Sequence, residues 1–105
     1  MDYSLTVHQR LLLLDLLPAQ GDLLTIRIVH DLREALSFDE TEHLLLNFRE
    51  EGSGFAWDDK VPPKPIDIGP KAADVIRRAI AERDRQRKLH EEHLILVDLF
   101  EYEGA

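Results

Sequence analysis

"SLTVHQRLLLLDLLP", residues 4–18, decides how this chain folds. Pro18 has no backbone N–H and cannot continue a helix, so the stretch reads as a first helix ending there. Ser4 or Thr6 supplies the hydroxyl that caps its start. Leucine fills positions 11, 12, 13, 14, 16 and 17, and only Asp15 interrupts them. A surface helix keeps one polar face, and this one has almost none. Such a helix is either the centre of the fold or half of a subunit interface. The second alternative gives the expectation of a homodimer.

Outward from that helix, "PAQGD" (18–22) is a turn rich in breakers. "LLTIRIVHDLREALSF" (23–38) begins with strand-like alternation at Leu24, Ile26 and Ile28. The whole reads better as a second helix, with Thr25 as cap and Ile28, Val29, Leu32 and Leu36 on one face. Ser37 stands three residues before Glu40, the spacing of a capping box. It opens a third helix, "DETEHLLLNFREE" (39–51), stopped by the "GSG" at 52–54. Residues 1–4 read as a short tail.

The next segment changes character. "GFAWDDKVPPKPIDIGP" (54–70) carries Pro62, Pro63 and Pro65. Two β-like pieces, Phe55–Trp57 and Ile66–Ile68, bracket that tip, and a hairpin or arm is expected over about 53–69. "PKAADVIRRAIAERDRQRKL" (70–89) is a fourth helix, with Pro70 in its first turn and Val75, Ile76, Ala79 and Ile80 as its buried stripe. A last helix is expected from about Glu91 to Tyr102. The fold class is therefore mainly α (α+β), one domain over 1–105. Its five helices and a hairpin after the third follow the order of a winged-helix domain.

Composition narrows the function. There is no cysteine among 105 residues, which removes disulfides and thiolate metal sites and agrees with a reducing, cytoplasmic setting. The N-terminus lacks the layout of a signal peptide, and "RLLLLDLL" (10–17) is too short to span a bilayer. A net charge of −8 argues against broad binding to nucleic acid or anionic membrane.

Catalytic and metal patterns are weak. His90 and His93 in "LHEEHL" are three apart, not the four of H-E-x-x-H. Glu91 and Glu92 suit the positive end of a helix dipole, so the stretch reads as a helix start. "GSG" is no nucleophile elbow, and the glycines are too scattered for a phosphate loop. No catalytic residue, metal or cofactor is expected. "EHLLL" (42–46) recurs as "EHLIL" (92–96), and this echo leaves a duplicated helix pair open.

Two surfaces remain as candidates for a partner. Helix 70–89 carries Lys71, Arg77, Arg78, Arg83, Arg85, Arg87 and Lys88 against Asp74, Glu82 and Asp84, an excess of four cations. That face would meet an acidic protein, nucleic acid or the acidic last helix. The third helix, which a winged-helix domain would lay in the major groove, has Asp39, Glu40, Glu42, Glu50 and Glu51 against Arg49 and would repel phosphate. The arm is the other surface. Pro62, Pro63 and Pro65 in "PPKP" favour an extended connector, and Trp57 is a binding anchor if exposed and a fastener if packed.

"RLLLLDLLPAQGDLLTIRIVHDLREALSF" (10–38) and "IDIGPKAADVIRRAIAERDRQRKLHEEHLILVDLF" (66–100) resemble small, mostly uncharacterised proteins of bacteriophages and prophages. The shared features are structural: the leucine-rich block, the proline–glycine turn and the final helix start. His90 stands where serine or threonine would cap better. The resemblance implies a small accessory protein that acts by binding. The function expected is a non-enzymatic protein-interaction module, an adaptor or inhibitor of a host protein. The alternative is a winged-helix-like regulator that binds nucleic acid through helix 71–88 and the arm.

Overall fold

The computed structural model describes residues 1–52, 54–58 and 61–104; Ser53, Asp59 and Lys60 of the expected arm lie outside the described residues. The element order is β1 (Asp2–Leu5), α1 (Val7–Leu16), α2 (Leu23–Leu36), α3 (Glu40–Leu46), β2 (Arg49–Glu51), β3 (Gly54–Ala56), β4 (Lys64–Asp67), α4 (Pro70–Arg85), a 3₁₀ turn (Glu91–His93) and α5 (Leu94–Leu99). The protein is mainly helical, with small antiparallel sheets. Among the described residues, no helix is long and apolar enough to cross a membrane.

Helix α1 is the centre. It touches α2, α4, α5 and β1, and Leu12, Leu13, Leu16 and Leu17 are buried among them. Val29, Leu32 and Leu36 meet it from α2, Val75, Ile76 and Ile80 from α4, and Leu96 and Phe100 from the last segment. Each fully buried leucine of this kind contributes about 1.5–3 kcal/mol. The leucines are thus covered within one chain, and the homodimer loses the feature from which it was expected.

Helix starts follow local chemistry. Thr6 accepts from the Gln9 N–H at 3.2 Å, and Gln9 returns the contact to the Thr6 N–H at 2.9 Å. Asp22, not Thr25, caps α2, accepting from the Thr25 N–H at 2.8 Å. Asp39, not Ser37, caps α3, with Glu42 reaching back to the Asp39 N–H. The carboxylates win because they are charged acceptors at the positive end of a helix.

Three expectations are corrected. Residues 1–4 are no tail: β1 pairs antiparallel with β4, placing Tyr3 opposite Ile66 and Ser4 opposite Pro65. The expected hairpin of 55–57 with 66–68 is therefore not formed. Instead β2 pairs with β3, Arg49 opposite Ala56, in a tighter hairpin that follows α3 directly. Helix α3 ends at Leu46, because Asn47 adopts the left-handed conformation at φ 48°, well before the "GSG" expected to stop it. Arg49–Glu51, read as helix, are strand.

Candidate interaction surfaces

The α1–α3 junction is built on Arg10. Its side chain is fully buried (0% exposed), in a position the heptad of leucines would otherwise fill. Nη1 and Nη2 donate to the two carboxylate oxygens of Glu42 at 2.5 and 3.2 Å. Nε donates to the Leu36 carbonyl at 3.2 Å and Nη2 to the Ser37 carbonyl at 2.6 Å. The guanidinium carbon also lies 4.0 Å from the centre of the Phe38 ring. One cation thus satisfies the open end of α2, the start of α3 and an aromatic face. Hydrogen bonding from Arg10 holds the Glu42 carboxyl down at about 2, with Lys64 at 3.7 Å adding to the effect.

This clamp fixes which side of α3 is free. Glu42 and Leu46, four apart, face inward. Leu44 (78% exposed) and Leu45 (44%) face outward. Acids surround them in the chain: Asp39 and Glu40 before, Glu50 and Glu51 after. The neighbouring cation, Arg49, is taken by Glu51 at 3.0 Å and Asp58 at 3.1 Å.

The arm candidates fall beside this helix. Trp57 is half-buried and packs in a second small core with Val7, Leu46 and Val61. Its ring lies 6.1 Å from Phe48 and 6.4 Å from His8. It acts as a fastener of the arm. Pro62, Pro63 and Pro65 are exposed; Pro65 sits within β4, tolerated because that two-stranded sheet has only edges.

The basic candidates do not form one face. Arg77 donates to the Phe100 carbonyl at 2.7 Å, and Arg83 to the Asp15 carbonyl at 3.0 Å. Lys71, Arg78 and Arg85 recur every seven residues on the exposed ridge, but Asp74 and Glu82 stand between them. Arg78 pairs with Asp74 at 2.6 Å, and Arg85 with Glu82. Arg87 and Lys88 lie past the helix end, where Arg87 has φ 57°. A ridge of alternating sign offers phosphate little net attraction.

The two histidines of "LHEEHL" are explained by the helix start. His93 is buried, and its Nδ1 accepts the His90 backbone N–H at 2.8 Å. His93 does what Gln9 and Glu42 do at the other starts. An accepting Nδ1 belongs to a neutral ring, and burial, with Arg83 and His90 nearby, lowers the His93 pKa. His8 and Glu92 meet at 3.3 Å, tying this turn to α1. The echo does not keep its phase. Glu42 and His93, not equivalent letters of the two pentapeptides, occupy the back-bonding position. What repeats is an exposed pair (Leu44 and Leu45; Leu94 and Ile95) before a fully buried leucine.

Sequence reading offered no sign of a further feature, a cleft of about 490 Å³ between α2 and the start of α4. Ile28, Leu32 and Ala35, spaced by four and three, make one wall; Gly69, Pro70 and Ala72 make the other. The small residues leave the space: even a Cβ added at Gly69 would meet nothing within 4 Å. Asp31, Asp67 and Lys71, all exposed, complete its lining. Among the described residues, His30, Asp31 and Glu34 are the one cluster with metal-like spacing, and all three are exposed on α2.

No family model, curated protein or solved structure matches this chain.

Proposed function

We propose that this chain is a small protein-binding module, and that the α2–α4 cleft receives an apolar side chain of its partner. The cleft is the observation that carries this reading. Its volume falls in the range of ligand and anchor pockets, and its lining is mostly apolar, with Asp31, Asp67 and Lys71 as its charged members. Such a lining rewards desolvation and supplies packing rather than bond chemistry. The resemblance to small phage and prophage proteins supports the same role, that of an adaptor or inhibitor.

Filling the cleft tests the reading. Ala35 is exposed, so Ala35→Trp adds bulk at the wall without disturbing the core. Affinity capture from the native cell is run in parallel with the unchanged chain and with Ala35→Trp. A protein retained by the first should be lost at least tenfold by the second, with unchanged thermal melting. Equal retention by both, or retention of nucleic acid alone, would overturn the proposal.

A further inference from the structure

Helix α3 exposes Leu44 and Leu45, and none of its residues lines the cleft. We infer that this face docks a basic amphipathic segment of a partner protein, with Leu44 and Leu45 as the apolar contact and Glu40 and Glu50 as the charged rim. Three observations lead there.

First, the leucines are not left over from poor packing. Helix α3 is only seven residues long, yet its inward side is fully specified by Leu46 and by the Arg10–Glu42 pair. A helix anchored this firmly fixes its outer side too, and that side presents two leucines to water. Leu23 with Leu24 and Leu94 with Ile95 are exposed pairs too; the α3 pair differs in the buried clamp behind it and the acids beside it.

Second, the charge flanking the leucine pair in the chain is mostly negative. Among the described residues of 39–58 there are six acids, Asp39, Glu40, Glu42, Glu50, Glu51 and Asp58, and one arginine. Glu42 is spent on Arg10 and Lys64, and Arg49 is spent on Glu51 and Asp58, so among the described residues Glu40 and Glu50 are the acids of this stretch's outer side without an ion-pair partner. What faces outward is apolar surface inside a negative field, which selects a partner carrying lysine or arginine beside its apolar residues.

Third, the same field disfavours a second copy. Two-fold pairing through Leu44 and Leu45 would bring each Glu40 and Glu50 against the acids of the other chain. A foreign basic segment relieves that repulsion, and it also fits a chain whose net charge is −8.

The test uses the whole chain and a designed helical peptide of leucine and lysine in amphipathic order. A glutamate-for-lysine peptide of the same pattern and a scrambled lysine peptide serve as controls. Binding is read by calorimetry and by backbone amide shifts in NMR. The ordered lysine peptide should bind, weaken as salt rises, and shift amides of α3 and the β2–β3 hairpin. Leu44→Ser/Leu45→Ser and, separately, Glu40→Lys/Glu50→Lys should each weaken it at least tenfold. Both pairs are exposed, so folding is retained, and amide spectra check this. Ala35→Trp should leave peptide binding unchanged, which separates this surface from the cleft. Equal binding of the scrambled peptide, shifts confined to α4 or the cleft, or no loss in the variants would overturn the inference. So would dimerisation at micromolar concentration that Leu44→Ser/Leu45→Ser abolishes.

Discussion

Arg10 and Glu42, 32 residues apart in sequence, form a two-point ion pair buried where α1, α2 and α3 meet. Removing one partner leaves the other charge buried with weaker contacts, the Leu36 and Ser37 carbonyls for Arg10 or Lys64 for Glu42, and costs up to about 3–5 kcal/mol. Glu42→Gln and Arg10→Met should each lower the unfolding free energy measured by urea titration by an amount of that order. The double change Arg10→Met/Glu42→Leu should recover part of the loss, because two apolar groups need no partner, although the Leu36 and Ser37 carbonyls and the Asp39 N–H lose theirs. Additive losses in the double variant would show that the pair is not coupled.

Acid should unfold the protein in two stages. His93 has a folded pKa below its ordinary 6.5, because burial disfavours its charged form. The unfolded chain therefore takes that proton more readily, and the stability present above pH 6.5 declines below it. Glu42 is held at about 2 against its ordinary 4.5. Its contribution, roughly 3 kcal/mol, is complete above pH 4.5 and lost between 4.5 and 2. Urea titrations at pH 7.5, 5.5 and 3.5 should give falling midpoints. His93→Gln should flatten the upper stage, and Glu42→Gln the lower.

Tyr3 stacks on Phe100 with ring centres 4.8 Å apart, joining β1 to the end of α5. Tyr3→Ala should cost about 2 kcal/mol, through lost burial and a frayed strand. Tyr3→Phe should be nearly neutral. Hydrogen exchange at the Ile68 amide, which donates to the Met1 carbonyl at 3.0 Å, reports whether the β1–β4 pairing loosens with it.

The α4 arginines should divide by what they hold. Among the described residues Arg78 and Arg85 form ion pairs with exposed acids of their own helix, and Arg78→Gln or Arg85→Gln should change stability by less than about 0.5 kcal/mol. Arg77→Gln removes the donor to the Phe100 carbonyl and should cost about 1 kcal/mol. Thermal melts of the three variants distinguish a scaffold role from a free basic face.

Local chemistry made most helices readable: the leucine block, Pro18 and Pro70 mark their own boundaries. Arg10 was legible in part, since Val7, Arg10, Leu13 and Leu17 lie along one helical stripe and a charge there needs a partner. Nothing local names Glu42 as that partner. The β1–β4 pairing escaped because strands joined across most of the chain leave only four residues of pattern at each end. The cleft escaped for a similar reason. It is made by what Gly69 and Ala72 do not fill, and that depends on how α2 and α4 pack.

Helices α4 and α5, expected to reach 89 and 102, end at Arg85 and Leu99, because both close on a residue that does not announce a stop. Lys88 N–H bonds the Arg83 carbonyl at 2.8 Å and Arg87 N–H the Asp84 carbonyl at 3.0 Å, the paired bonds of a Schellman motif. Tyr102 to Val97 and Glu101 to Asp98 repeat the pattern after α5. The motif needs a left-handed residue, normally glycine, but Arg87 (φ 57°) and Glu101 (φ 55°) occupy it. A side chain in that conformation costs about 1–2 kcal/mol, and glycine avoids the cost while adding entropy to the unfolded chain. Arg87→Gly and Glu101→Gly should therefore each stabilise the protein, by roughly 0.5–1 kcal/mol net, with the two gains adding. Arg87→Ala should give no such gain, because alanine keeps the Cβ. A higher urea midpoint for the glycine variants but not for alanine is the expected result; equal effects of both would place the benefit in the lost charge instead.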